Sequence, residues 1–162
     1  MTRVPATDSP PSADDGPAGA LARSRRVILV GAGNIGSRLA LELPLLGVRR
    51  AVLIDPDAVE ERNLLCCRDF GPADVGVPKV EVLAERLRQS HKALDVTALP
   101  AALADVALAS LRDEEPAVLA GAVDSRRSRY ELARVSLLVG LPLVDLAISA
   151  AGDEAVARAR IT

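Results

Sequence analysis

Aromatic side chains are nearly absent from this chain of 162 residues: it has no tryptophan, and Phe70 and Tyr130 make up the whole aromatic set. A core must therefore come from leucine, valine, alanine and isoleucine, within a composition that is 49% hydrophobic. Such a core suits a parallel sheet covered by helices. Histidine occurs once, as His91 beside Lys92, so no Ser/His/Asp set offers itself. The only cysteines, Cys66 and Cys67, are adjacent, which gives neither a disulfide framework nor metal-ligand spacing. Lysine is confined to Lys79 and Lys92, every other basic residue being arginine, and a lysine in a loop is therefore informative.

Long apolar runs are missing too, so no membrane span is expected. The N-terminus lacks the apolar segment of a secretory signal, and its acids argue against a transit peptide. The net charge of -2 is spread over interspersed acids and bases, which gives nucleic acid no bulk electrostatic attraction. The expectation is a soluble cytoplasmic protein with no nucleic-acid and no membrane partner. Residues 1–20 are rich in Pro, Ser, Ala, Asp and Gly without periodicity and are expected to be a disordered tail. Residues 21–162 form one nucleotide-binding domain on this reading.

From Arg25 strand and helix patterns alternate. Val27–Val30 is a continuous apolar run typical of a strand buried on both faces. Gly36 opens a helix carrying Leu39, Leu41 and Leu43, which Pro44 ends or kinks. Ala51–Ile54 reads as the second strand. Lys79 starts a helix with Val80, Leu83, Ala84 and Leu87 on one face and Glu81, Glu85, Arg86 and Arg88 on the other. Val96 marks a weak third strand, 103–111 a further helix, and Val118–Val123 another buried strand. Arg127–Val139 is helical, and Leu143–Ile148 and Glu154–Ile161 are strands. The alternation predicts an α/β fold, a Rossmann-like doubly wound and mostly parallel sheet. The sheet reads as cut off at the C-terminal end, with an edge that a second chain would cover, so a homo- or hetero-oligomer is expected.

Function is written most densely between the first strand and Lys79. Gly31-Ala32-Gly33-Asn34-Ile35-Gly36 follows the first strand. Gly31 permits the tight turn, Gly33 a close approach of backbone to phosphate, and Gly36 helix–sheet packing. The helix start then offers free N–H groups to an anion. Asp55, nineteen residues past Gly36, stands where a carboxylate accepts from ribose hydroxyls. NAD and ATP both fit this far. The following loop separates them: it runs through Asp57, Val59, Asn63 and Gly76 to Lys79, and Asn63 and Lys79 suit a triphosphate. A lysine at a helix start is poorly placed for the helix dipole, and a phosphate beside it would explain the choice. Asp124, at the carboxyl end of a buried strand, can hold Mg²⁺ through one carboxylate plus phosphate oxygens, or cap the next helix.

GAGNIG, IDPDAVEERNL, GVPK and the strand ending VDSRRSR together resemble the ThiF/MoeB family, the adenylating enzymes related to ubiquitin-activating enzyme. The resemblance runs from about Arg25 to Thr162. It implies an ATP- and Mg²⁺-dependent adenylyltransferase that activates a carboxylate, typically the C-terminal glycine of a ubiquitin-like or sulfur-carrier protein. It also implies that Asp55 binds ribose with Asp57 close by, that Asn63 and Lys79 bind phosphates and that Asp124 holds Mg²⁺; Arg129 stands where the family also has an arginine. Adenylation needs positioning and positive charge, not a side-chain nucleophile, so the missing histidines are no obstacle.

The chain departs from the pattern in three places. The family carries an arginine three residues after the asparagine, and here that residue is Cys66, with Arg68 as the nearby substitute. The chain ends before the region of the thioester cysteine and zinc-binding pairs. The N-terminal tail has no match to the segment through which a partner subunit donates an arginine. A non-catalytic partner subunit and, last, an NAD(P)-dependent oxidoreductase are the rival readings. The vicinal cysteines invite a reactive-thiol reading, with Arg68 lowering a thiol pKa. Neighbouring cysteines in a loop are more often small packing residues, however, and no histidine lies nearby in sequence to activate them, so packing is the favoured reading.

Overall fold

The computed structural model describes residues 26–112, 117–151 and 154–161; the expected tail at 1–20 lies outside them. Its strands are β1 (Arg26–Val30), β2 (Arg50–Ile54), β3 (Asp95–Leu99), β4 (Ala117–Gly121), β5 (Leu143–Ala151) and β6 (Glu154–Ile161). The helices are α1 (Asn34–Glu42), α2 (Asn63–Cys66), α3 (Lys79–Ser90), α4 (Leu108–Leu111) and α5 (Arg126–Val139). Among the described residues the sheet has the order β3-β2-β1-β4-β5-β6. The first five strands are parallel, and β6 runs antiparallel to β5.

Strand alternation explains the two-sided burial. Val27 and Leu29 of β1 join Ala51, Leu53, Val118 and Ala120 in a core closed by Ala40 of α1, by Leu43 just past that helix, and by Leu83 and Leu87 of α3. Ile28 and Val30 point the other way, to Val52, Ile54, Leu119 and the α5 residues Leu132 and Val135. Every residue of β1 and β4 is buried, as central parallel strands require. Asp95 and Thr97 of β3 are exposed, which marks the strand at the sheet's edge. Ser125 caps α5 by accepting from the Ser128 N–H, and Gly140 ends it at φ 72°.

Backbone geometry shifts three of the expected boundaries. Helix α1 begins at Asn34, before Gly36, because Gly33 is the extended residue ahead of it. The single helix expected over 103–111 is a 3₁₀ turn at Leu103–Asp105 followed by α4, separated by extended backbone at Val106 and Ala107. Strand β4 stops at Gly121 instead of Val123, since the chain leaves the sheet once the Ala122 N–H has bonded the Val30 carbonyl at 2.8 Å.

Close approach fixes the joint between β1, α1 and β4. A Cβ on Gly36 would lie 1.8 Å from the Gly31 carbonyl oxygen, and one on Gly31, at φ +96°, would lie 2.6 Å from that of Ala122. Both neighbours are backbone and cannot swing aside. Gly36→Ala is therefore expected to destabilise the fold by at least about 1–3 kcal/mol, read as a lowered urea midpoint with an unchanged m-value.

The two cysteines part company in the fold. Cys67 is buried against the α1/α3 core, whereas Cys66 is exposed. Burial, chiefly, and the neighbouring Cys66 sulfur push the Cys67 thiol up to about 11, against a smaller pull from the Lys79 charge. The packing reading thus holds at this thiol, where desolvation outweighs the positive charge of Lys79. An alkylating reagent at pH 8 is expected to modify Cys66 and spare Cys67 until the chain is unfolded, as peptide mass spectrometry would show.

Candidate nucleotide site

Residues Val30, Ile54 and Gly121 lie in register across β2-β1-β4, so the three strands end level. The order of the strands reverses between β1 and β4, and a doubly wound sheet opens its ligand crevice there, at the carboxyl rim. A cavity of about 820 Å³ occupies that place, lined by Gly31, Gly33, Asp55, Lys79 and Asp124 among others. Gly33 differs from its two companions: a Cβ there would meet no protein atom within 4 Å. Gly31 and Gly36 serve the packing, and Gly33 faces the space left for a ligand, at the N-terminal end of α1.

Asp55 is nearly buried, and both of its oxygens are engaged. Oδ2 accepts from the Ala32 N–H at 2.6 Å and Oδ1 from the Asp57 N–H at 2.8 Å. The side chain thereby ties the glycine turn to the loop after β2. A carboxylate has about four acceptor positions, so two remain for other donors.

Lys79 arrives by a strap. Residues 57–59 and 76–79 run antiparallel: Val59 N–H donates to the Val77 carbonyl at 2.8 Å, Gly76 N–H to Val59 at 2.8 Å, and Lys79 N–H to Asp57 at 3.0 Å. The intervening excursion folds away as α2 and a 3₁₀ turn at Pro72–Asp74. The first residue of α3 is thereby drawn against the end of β2. Lys79 is 7% exposed, and its Nζ lies 2.9 Å from Asp57 Oδ2, whose side chain is 62% exposed. It is no solvated surface lysine: the buried ammonium is balanced by one carboxylate, and its remaining protons are free to meet another anion.

Asp124 lies at the opposite wall, beyond the end of β4. Capping of α5 falls to Ser125, so the Asp124 carboxylate is not spent on the helix. Arg129 is one turn along α5; its Nη1 pairs with Asp145 Oδ2 at 2.9 Å and its Nη2 donates to the Val123 carbonyl at 3.1 Å. The pair fastens α5 to β5 and holds the residue before Asp124. Behind it a Cβ on Gly121 would stand 2.5 Å from Leu132 Cδ1, a second point of close helix–strand approach.

Not every expected residue reaches the cavity. Asn63 is outside its lining: Oδ1 accepts from the Glu60 N–H at 2.9 Å and the residue opens α2, so the side chain organises its own turn. Cys66 and Arg68 line a neighbouring cavity of about 640 Å³ that shares Asn34 and Ile35 with the first. Sequence reasoning missed Arg127, in the first turn of α5, and the Ala101–Ala104 wall after β3. It also missed Asp145, although an acid directly after the apolar Leu143 and Val144 repeats the signal that singled out Asp124. Among the described residues no group of three or more His, Cys, Asp or Glu gathers as a metal cluster. No helix there is long and apolar enough to cross a membrane.

Known proteins resemble this chain in sequence and in fold. Adenylyltransferase and sulfurtransferase MOCS3 of Mus musculus is 38% identical over 119 residues, which are 73% of this chain and 25% of that protein. Sulfur carrier protein adenylyltransferase of Thermus thermophilus is 34% identical over 119 residues, 73% of this chain and 43% of its own length. The chain thus spans less than half the length of either relative. The crystal structure of the Escherichia coli tRNA N6-threonylcarbamoyladenosine dehydratase TcdA in complex with ATP is similar, with a TM-score of 0.67 and 28% identity over 79% of this chain and 52% of that one. The pattern of the ThiF family matches residues 14–155. By sequence and by fold, this chain belongs to the ThiF family.

Proposed function

We propose that this chain carries the nucleotide site of an ATP-dependent adenylyltransferase whose substrate is the C-terminal carboxylate of a ubiquitin-like or sulfur-carrier protein. The observation that carries the reading is the buried Lys79, the first residue of a helix, facing the same cavity as Gly33 and Asp124. The names of the mouse and Thermus relatives, both adenylyltransferases, support it.

In this reading the triphosphate lies over the N-terminal end of α1 beside Gly33. Asp55 takes the ribose hydroxyls on the acceptor positions that Ala32 and Asp57 leave open, and the base rests on the small apolar wall of Ala101–Ala104. Lys79 supplies positive charge to the phosphates, with Asp57 holding its ammonium in place. Arg68, in the adjoining cavity, is the candidate for charge at the far end of the chain of phosphates. Asp124 fits Mg²⁺: it is one carboxylate at the cavity wall, and that ion binds through one or two carboxylates together with phosphate oxygens. When bound, the ion would neutralise phosphate charge.

The reaction asks little else of the protein. A carboxylate oxygen of the substrate attacks the α-phosphorus. The bond from that phosphorus to the bridging oxygen breaks, and pyrophosphate leaves with the electron pair. Positioning by Asp55 and the α1 amides, and charge from Lys79, lower the barrier without a general base, because the attacking carboxylate is already ionised.

Two measurements test this. Pyrophosphate exchange with ATP in the presence of a carrier protein ending in Gly-Gly is expected to fall by about 10²–10³ in Lys79→Ala and to be lost in Asp124→Ala; turnover that survives both would discard the assignment. Gly33→Ala is expected to unfold at the wild-type temperature and yet to weaken Mg·ATP binding by calorimetry, since its Cβ would enter the ligand space and meet no protein atom within 4 Å. A wild-type chain that binds no Mg·ATP would instead be a scaffold subunit, the rival that Cys66 favours.

A further inference from the structure

The family resemblance places an arginine at position 66, and this chain has a cysteine there. The structure shows what surrounds that position. Cys66 lines the smaller cavity together with Arg38, Arg68 and Asp69. That cavity shares Asn34 and Ile35, in the first turn of α1, with the lining of the nucleotide cavity, so a phosphate chain lying over the helix end would lie beside residues of both. Charges on the two sides also reach a common point: Lys79 and Asp69 both act on the Cys67 thiol.

Arg38 is the cation best held for use there. It sits one turn into α1, and its Nη1 lies 3.4 Å from Asp69 Oδ1. Asp69 is itself fixed, 10% exposed, with its other oxygen accepting from Ser37 Oγ at 3.0 Å. The Arg38 side chain remains 62% exposed, so most of its five donors are open to a ligand in the cavity. An exposed pair at that distance adds little to stability, which leaves orientation as its physical effect. Arg68 lines the same cavity without such a holder among the described residues.

We propose that Arg38, steadied by Asp69, is a further phosphate-binding residue, which restores from α1 the positive charge that the family carries at position 66. Its ligand is the terminal part of a nucleoside triphosphate and the pyrophosphate released from it. The proposal rests on the nucleotide reading above. It goes beyond that reading by assigning Arg38, beside Arg68 in the second cavity, to the terminal phosphates and by treating Cys66 as a relocation of charge, not a loss.

Calorimetry with Mg·ATP and with AMP tests it on the wild type, Arg38→Ala and the double variant Arg38→Ala/Cys66→Arg. Arg38→Ala is expected to weaken Mg·ATP binding by about tenfold to a hundredfold and to leave AMP binding unchanged, since AMP lacks the terminal phosphates. Cys66→Arg in that background is expected to regain most of the loss. Retained AMP binding also reports a folded variant, so loss of the fold cannot imitate the result. Wild-type affinity for Mg·ATP in Arg38→Ala, an equal loss of ATP and AMP, or no recovery with Cys66→Arg overturns the role of Arg38 while the nucleotide site stands. A wild-type chain that binds neither nucleotide overturns both.

Discussion

The carbonyl oxygen of Gly31 occupies the space that a side chain on residue 36 would need, and the carbonyl of Ala122 does the same for residue 31. Three backbone segments, from β1, α1 and β4, thus touch without side chains between them. This contact sets how near the start of α1 comes to the end of β4, and hence the distance between the two walls of the cavity. With β1, β2 and β4 ending level, the first residues beyond each strand come to one rim. Gly33, Asp55 and Asp124 owe their common address to this arrangement. The buried polar work is then small: one carboxylate, Asp55, joins two loops through two amides.

Much of this was legible in the residues. Strand and helix periods gave the sheet and its covering layers because both faces of β1 and β4 are buried and so read as unbroken apolar runs. Gly31, Gly33, Gly36 and Asp55 follow one strand–turn–helix unit at short range, where spacing along the chain nearly equals placement in space. Lys79 was legible for a different reason, its rarity among arginines. The pairing that brings it home was not, since Asp57 stands 22 residues away and meets it only through the antiparallel strap.

What the sequence leaves open has a shared physical source. Asn63 lies inside the excursion between the strap's two legs, and spacing alone does not say which way a loop residue faces; its side chain turned to the Glu60 amide beside it. Arg127 and the alanine wall were overlooked because small and exposed residues carry no hydrophobic period. The cysteine pair reads as small packing residues, which holds for Cys67; which of the two is buried depends on packing against α1 and α3 and is not written in the local sequence.

The Lys79–Asp57 contact balances charge inside the fold. A nearly sequestered ammonium is costly unless an anion sits beside it, and Asp57, mostly in water, provides one from within the molecule. The resting protein therefore carries its own counter-ion for this ammonium. The cradle is complete, and its charge balanced, before any guest arrives. On the nucleotide reading proposed above, docking adds a second partner at a ready-made cation, whose uncommitted protons take up the oxyanion while the solvent-facing acid keeps its hold.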